Sequence, residues 1–145
     1  ILSRYRLSLM ETRIQKALDN HHKGYNCSQS VACAYADLVG IDEQTMFKIM
    51  EGFGLGMGGM HGTCGAVSGA IAVASMKLSG GDLDGPYTKA ATYKIAKQIV
   101  EKFRIKNQSC VCLDIKGVET GTILRSCDGC IEDAAAILEE IVFNG

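Results

Sequence analysis

The chain reads as an all-α, single-domain bundle of about six helices, and three observations carry that reading. Apolar residues recur at helical spacing in at least five segments. No segment of alternating apolar and polar residues argues for a strand. One segment, Cys64 to about Leu78, is apolar nearly all round, as a helix in the centre of a bundle must be. The length of 145 residues suits one domain with its own core, taken as residues 1–145.

The elements follow in order. Met10, Ile14, Ala17 and Leu18 mark a first helix. Val31, Ala34, Tyr35 and Leu38 mark a second after Cys27, and Gly40 stops it. Asp42 can cap a third, with Met46, Ile49, Met50 and Phe53 inward. The glycine-dense stretch GFGLGMGGMHG, residues 52–62, is a loop. It contains Gly54, Gly56 and Gly59 in a G-x-G-x-x-G pattern, but after a helix and not a strand, which excludes a dinucleotide fold. The central helix from Cys64 carries Gly65, Ala66, Ser68, Gly69 and Ala70, small enough for close backbone approach. GGDLDGP, residues 80–86, is a turn. A long helix from about Thr88 to Phe103 turns Ala91, Ile95, Ala96, Ile99 and Val100 inward and Lys89, Lys94, Lys97 and Lys102 to solvent. Residues 105–126 read as irregular or short helical pieces. The last helix runs from Cys127 to Val142, with Ile131, Ala134, Ala135, Leu138, Ile141 and Val142 inward and Glu132, Asp133, Glu139 and Glu140 outward.

Composition excludes several classes. A net charge of −1 gives no electrostatic footprint for nucleic acid or an anionic membrane. Charges at Arg4, Arg6, Glu11 and Arg13 interrupt the first segment, so a cytoplasmic protein without a signal peptide is expected. The seven cysteines fall short of the density of a secreted disulfide scaffold, roughly 8–10%. In a reducing compartment, clustered cysteines point to metal binding or redox chemistry.

Where the cysteines sit says more. Asn26-Cys27, Thr63-Cys64 and Ser126-Cys127 each place a capping residue before a cysteine, which puts each sulfur at a helix start. The positive end of the helix dipole favours the thiolate there. Cys33, between alanines in mid-helix, reads as packing. Cys110-Val111-Cys112 and Cys127-Asp128-Gly129-Cys130 are close pairs, suited to a dithiol couple or to two ligands for zinc or an iron–sulfur cluster. Backbone amides beside Cys64, at Gly62 and Gly65, can surround an anionic group. His61 could carry a proton but reads more simply as a loop histidine, and His21 and His22 sit where a helix end favours cations. Met57 and Met60 read as filler. The chain has no C-x-x-C-H for haem attachment, no P-loop and no HExxH.

The strings GYNCSQSV (24–31), CGAVSGA (64–70) and DAAAILEEI (133–141), with the GFG-MG loop, resemble the C-GCAxxG-C-C family of redox-active proteins over roughly residues 20–142. The family's four cysteines match Cys27, Cys64, Cys112 and Cys127, the last two placed by the following LDIKG and by the distance to the DAAAILEE run. Cys33, Cys110 and Cys130 are additions. A similar segment occurs in split-Soret cytochromes, which implies an iron–sulfur site. The resemblance implies a redox protein with four sulfurs gathered at one site, holding an iron–sulfur cluster for electron transfer or cycling between thiols and disulfides. Cys110 and Cys130 would then be further thiol partners. Whether it is an oxidoreductase or an electron carrier stays open, as does its redox partner, a protein or a small oxidant. A structural zinc site on the same four cysteines and a helical small-molecule binding module are the alternatives.

Overall fold

A computed structural model of the chain describes residues 11–144. The described residues are all-α, with six helices of eight residues or more and two shorter ones. These are α1 (Ile14–His22), α2 (Cys27–Tyr35), α3 (Glu43–Met50), the short α4 (Gly54–Met57), α5 (Gly65–Leu78), α6 (Lys89–Asn107), the short α7 (Cys112–Lys116) and α8 (Cys127–Leu138). Met10, expected in the first helix, lies outside the described residues.

The central apolar helix is α5. Val67, Ala70 and Val73 are fully buried, and α2, α6 and α8 all pack on it. Its glycines set how closely α2 approaches. A Cβ at Gly69 would stand 2.6 Å from the Ser28 carbonyl oxygen, and one at Gly65 3.3 Å from the Cys27 Cβ. These two positions, one helical turn apart, bring the starts of α2 and α5 side by side.

The start of α2 is fixed by a capping box. The Asn26 side chain accepts from Gln29 N–H at 2.9 Å, and the Gln29 side chain accepts from Asn26 N–H at 3.1 Å. The same residues tie down the end of α3: Ser28 Oγ donates to the Met50 carbonyl and Asn26 Nδ2 to the Glu51 carbonyl. After Tyr35 the helix tightens into a 3₁₀ turn, Ala36–Val39, and Gly40 ends it in the left-handed conformation.

Several expected faces differ. Ile49 and Phe53 are exposed: Ile49 lies within α3 but beside the Met46–Met50 face that the helix buries, and Phe53 lies in the 3₁₀ turn (Glu51–Phe53) that takes the chain out of the helical register after Met50. Leu38 lies in the 3₁₀ turn after α2 and is likewise exposed. Ala91 is exposed, since α6 is an outer helix that buries only Ile99, Phe103 and Asn107. Asp133 and Glu139, expected outward, are buried. Asp133 accepts from Lys106, Asn107 and Arg125. Glu139 lies where α8 widens into a π-turn (Glu139–Phe143), and it accepts from Tyr35 Oη, Thr12 Oγ1 and Arg13 N–H. Each carboxylate replaces its lost water with protein donors, as burial requires.

Candidate functional site

Each of the four matched cysteines stands at the beginning of a helix. Cys27, Cys112 and Cys127 are the first residues of α2, α7 and α8. Ser126 caps α8 by accepting from Gly129 N–H at 3.0 Å, as Asn26 caps α2. Cys64 departs from the expectation. Thr63 does not cap it; Cys64 is itself the residue before the helix, and α5 starts at Gly65. Thr63 instead forms an isolated antiparallel bridge with Val111. The Cys64 side chain makes no capping hydrogen bond, but the nearby N–H groups of Ala66 and Val67 help to hold its pKa down, after the larger influence of Cys130.

The glycine loop latches Cys64 to Cys112. Cys64 N–H donates to the Cys110 carbonyl at 2.7 Å, Cys112 N–H to the Gly62 carbonyl at 3.1 Å and Leu113 N–H to the Met60 carbonyl at 2.8 Å. Gly56, at φ 55°, touches Cys112 so closely that a Cβ would stand 2.5 Å from the Cys112 Cβ. The loop glycines therefore serve a backbone approach. Gly62 contributes its carbonyl, its N–H being already donated to the Gly56 carbonyl. Gly65 lies in the wall of the site.

Together these elements enclose a cavity of about 210 Å³. Its wall holds Cys27, Cys64, Cys112, Cys127 and Cys130, with Lys116, Arg125, His21 and Leu55. Cys110 and His61 are not in that wall; Cys110 acts through its carbonyl, and His61 is exposed. Cys33 is buried apart from the cavity, in contact with the Glu43 carbonyl, and burial pushes its thiol up to about 11.

The sulfurs pair across helices and not within the C-x-x-C. The Cys27 thiol donates to the Cys127 sulfur, which is the largest influence drawing Cys127 down to about 5. Burial opposes this, and the Lys116 ammonium at 3.5 Å adds to it. Cys27 is correspondingly driven far above the ordinary thiol range, because ionising it would set two anions side by side. The second pair repeats the pattern deeper in. Cys130 donates to Cys64, whose pKa falls, while that of Cys130 is pushed up. Burial raises Cys112, with Cys64 and Cys127 as charged neighbours.

Lys116 and Arg125 were missed in the sequence. Lys116 follows Cys112 by four residues, the spacing that puts two side chains on one helix face, so a signal existed. Arg125 had none. It crosses over Gly129, where a Cβ would stand 2.4 Å from its Nε, to reach Asp133 at 3.0 Å. The glycine of Cys127-Asp128-Gly129-Cys130 leaves room for that crossing.

Among the described residues no helix is long and apolar enough to cross a membrane. No curated protein and no solved structure matches the chain. A family model described as "Putative redox-active protein (C_GCAxxG_C_C)" matches residues 25–141 and so spans all seven cysteines. With most of its length under that match, the chain belongs to the C_GCAxxG_C_C family.

Proposed function

We propose that this protein is a thiol-based redox carrier in which Cys127 is the attacking thiolate and Cys27 the resolving thiol. The observation that carries the reading is the asymmetric pair itself: a partly exposed sulfur at a helix start, beside Lys116, with a second thiol donating to it. At neutral pH Cys127 is thus a thiolate, the form that attacks disulfides.

The steps balance as follows. The Cys127 thiolate attacks one sulfur of a substrate disulfide, forms a mixed disulfide and expels the other sulfur as a thiolate. Cys127 is then neutral, so the charge that held the proton on Cys27 is gone, and the positive charge of Lys116 favours the Cys27 thiolate instead. Cys27 gives its proton to the departing thiolate and attacks the Cys127 sulfur. A Cys27–Cys127 disulfide forms and the second substrate thiolate leaves. Two electrons pass from the protein to the substrate, and a dithiol reductant reverses the steps.

The test is to react the reduced protein with a small aromatic disulfide at about pH 6 and map the peptides by mass. Cys27→Ser should accumulate the mixed disulfide on Cys127, and the native chain should pass on to the Cys27–Cys127 bridge. Modification that begins at Cys110 or Cys112 and spares Cys127 would sink the assignment.

Cys112 favours a second reading, because the dithiol cycle gives it no task. Cys27, Cys64, Cys112 and Cys127 together are the donor set of an iron–sulfur cluster. The soft sulfur donors fit such a group, and Lys116 with the helix starts would offset its negative charge. Bound there, a cluster would supply one-electron transfer. Lys116, Arg125 and the capped helix starts would hold the sulfurs as thiolates, and Leu55 would shield them from water. A tetrahedral zinc site is less well matched. Bonds of about 2.3 Å need sulfurs within about 4 Å of one another. Among the described residues the ligand atoms grouped within 4.8 Å are those of His21, His22 and Asp128, and not three sulfurs.

A further inference from the structure

At the rim of the cavity, α1 ends in two consecutive histidines that share one carboxylate. Side chains on successive helical residues leave the axis about 100° apart and ordinarily do not meet one partner. Here they do. His21 reaches Asp128 Oδ1 with its near ring nitrogen, Nδ1, at 2.7 Å. His22 reaches Oδ2 with its far nitrogen, Nε2, at 2.9 Å. Using the short reach on one ring and the long reach on the other cancels the angular offset. Both nitrogens and the carboxylate then fall within 4.8 Å of one another.

We infer that His21, His22 and Asp128 form a binding site for a borderline divalent transition-metal ion such as zinc, distinct from the sulfur site. Two imidazoles and one carboxylate are a donor set that zinc and its neighbours accept, and one that leaves positions for water or a further ligand. The openness is present: the His22 and Asp128 side chains are 56% and 48% exposed. Metal entry requires each ring to carry its proton on the nitrogen facing away from Asp128, Nε2 of His21 and Nδ1 of His22, which either neutral ring can do. The ion would lie one residue along the chain from Cys127. The inference does not depend on the thiol chemistry proposed above.

The competing explanation is a plain ion pair that pins the end of α1 to the start of α8. Zinc titration of the full reduced chain, read at the histidine ring nitrogens by nitrogen-15 NMR, separates the two. The site predicts that His21 Nδ1 and His22 Nε2 respond together and saturate, while His61 stays unmoved. Asp128→Asn should weaken the affinity read at those nitrogens by about tenfold or more. Cys127→Ser should leave the response in place. The inference is overturned if these nitrogens stay unmoved after the thiols have taken up all the zinc they will hold, or if all three histidines drift in parallel. It is equally overturned if Asp128→Asn changes nothing or if Cys127→Ser abolishes the response.

Discussion

Replacing Lys116 by Met removes the ammonium that faces the Cys127 sulfur at 3.5 Å and keeps most of the side chain's bulk. Two unit charges at that separation attract by about 1 kcal/mol in water and about 5 kcal/mol at an effective dielectric constant near 20. The sulfur is half-buried at the cavity wall, so the low end of that range applies, and about 1.4 kcal/mol corresponds to one pKa unit. Cys127 should therefore rise from about 5 by about 1 to 2 units. The hydrogen bond from Cys27, its largest stabiliser, would remain. The assay is the rate at which a small disulfide modifies Cys127 across pH, resolved by peptide mass. Two changes are expected together. The midpoint of the profile moves up. At pH 8, where both proteins are thiolates, the variant is faster by about 2.5- to 10-fold, because nucleophilicity follows pKa with a slope of about 0.4–0.5. A midpoint that moves by less than about half a unit, in a variant with native circular dichroism, would refute the electrostatic argument.

Three further outcomes follow from the packing and the paired sulfurs. Gly69→Ala should destabilise the fold by about 1–3 kcal/mol in urea denaturation, because the new Cβ meets backbone that cannot move aside. Gly52→Ala, which meets open space, is the control and should be near neutral. Asn26→Ala should cost about 1 kcal/mol or more by removing the cap of α2, and it should also loosen Cys27, seen as faster alkylation of that sulfur. In reductant, stability should rise with pH between about 5 and the ordinary thiol value near 8.5. Over that window the folded Cys27–Cys127 pair binds one proton fewer than the unfolded chain. The full linkage slope is about 1.4 kcal/mol per pH unit, and solvent screening at a half-buried sulfur leaves roughly half of it. Above the window the slope reverses, because the raised Cys27 keeps a proton that the unfolded chain has lost. The Cys64–Cys130 pair acts in the same sense. A stability profile flat from pH 5.5 to 8 would remove the thiolate pairs from the account.

The helices were legible in the sequence because their apolar periodicity and caps are local. Asn26, Asp42 and Ser126 each sit directly before the turn they cap. Errors arose where tertiary contacts decide the outcome. Glu139 and Asp133 read as solvent-facing until their partners, Tyr35 and Arg125, are brought onto them. Thr63 has the composition of a cap, but it pairs with Val111, and α5 starts after Cys64 without a side-chain cap. At the site, local caps marked Cys27 and Cys127, and the same reasoning reached Cys64 through a cap that Thr63 does not make; Cys112 was reached only through the family resemblance and Cys130 through its C-x-x-C spacing. These signals could not say that Cys127 pairs with Cys27 and Cys64 with Cys130, because those partners come from different helices. The consecutive histidines looked like dipole partners of α1, and their shared carboxylate more than 100 residues away was invisible in any local window.

The most direct test of the account equilibrates protein purified without oxygen in buffers of graded dithiol–disulfide ratio, traps the thiols and maps them by mass. The account predicts that Cys27 and Cys127 lose their thiols together, in one reversible two-electron step, as a bridge to each other. Thiols at Cys27 and Cys127 that stay independent at every ratio, in a protein free of iron, would contradict it. Stoichiometric iron with visible absorbance would move the redox role from the Cys27–Cys127 couple to a cluster held by Cys27, Cys64, Cys112 and Cys127.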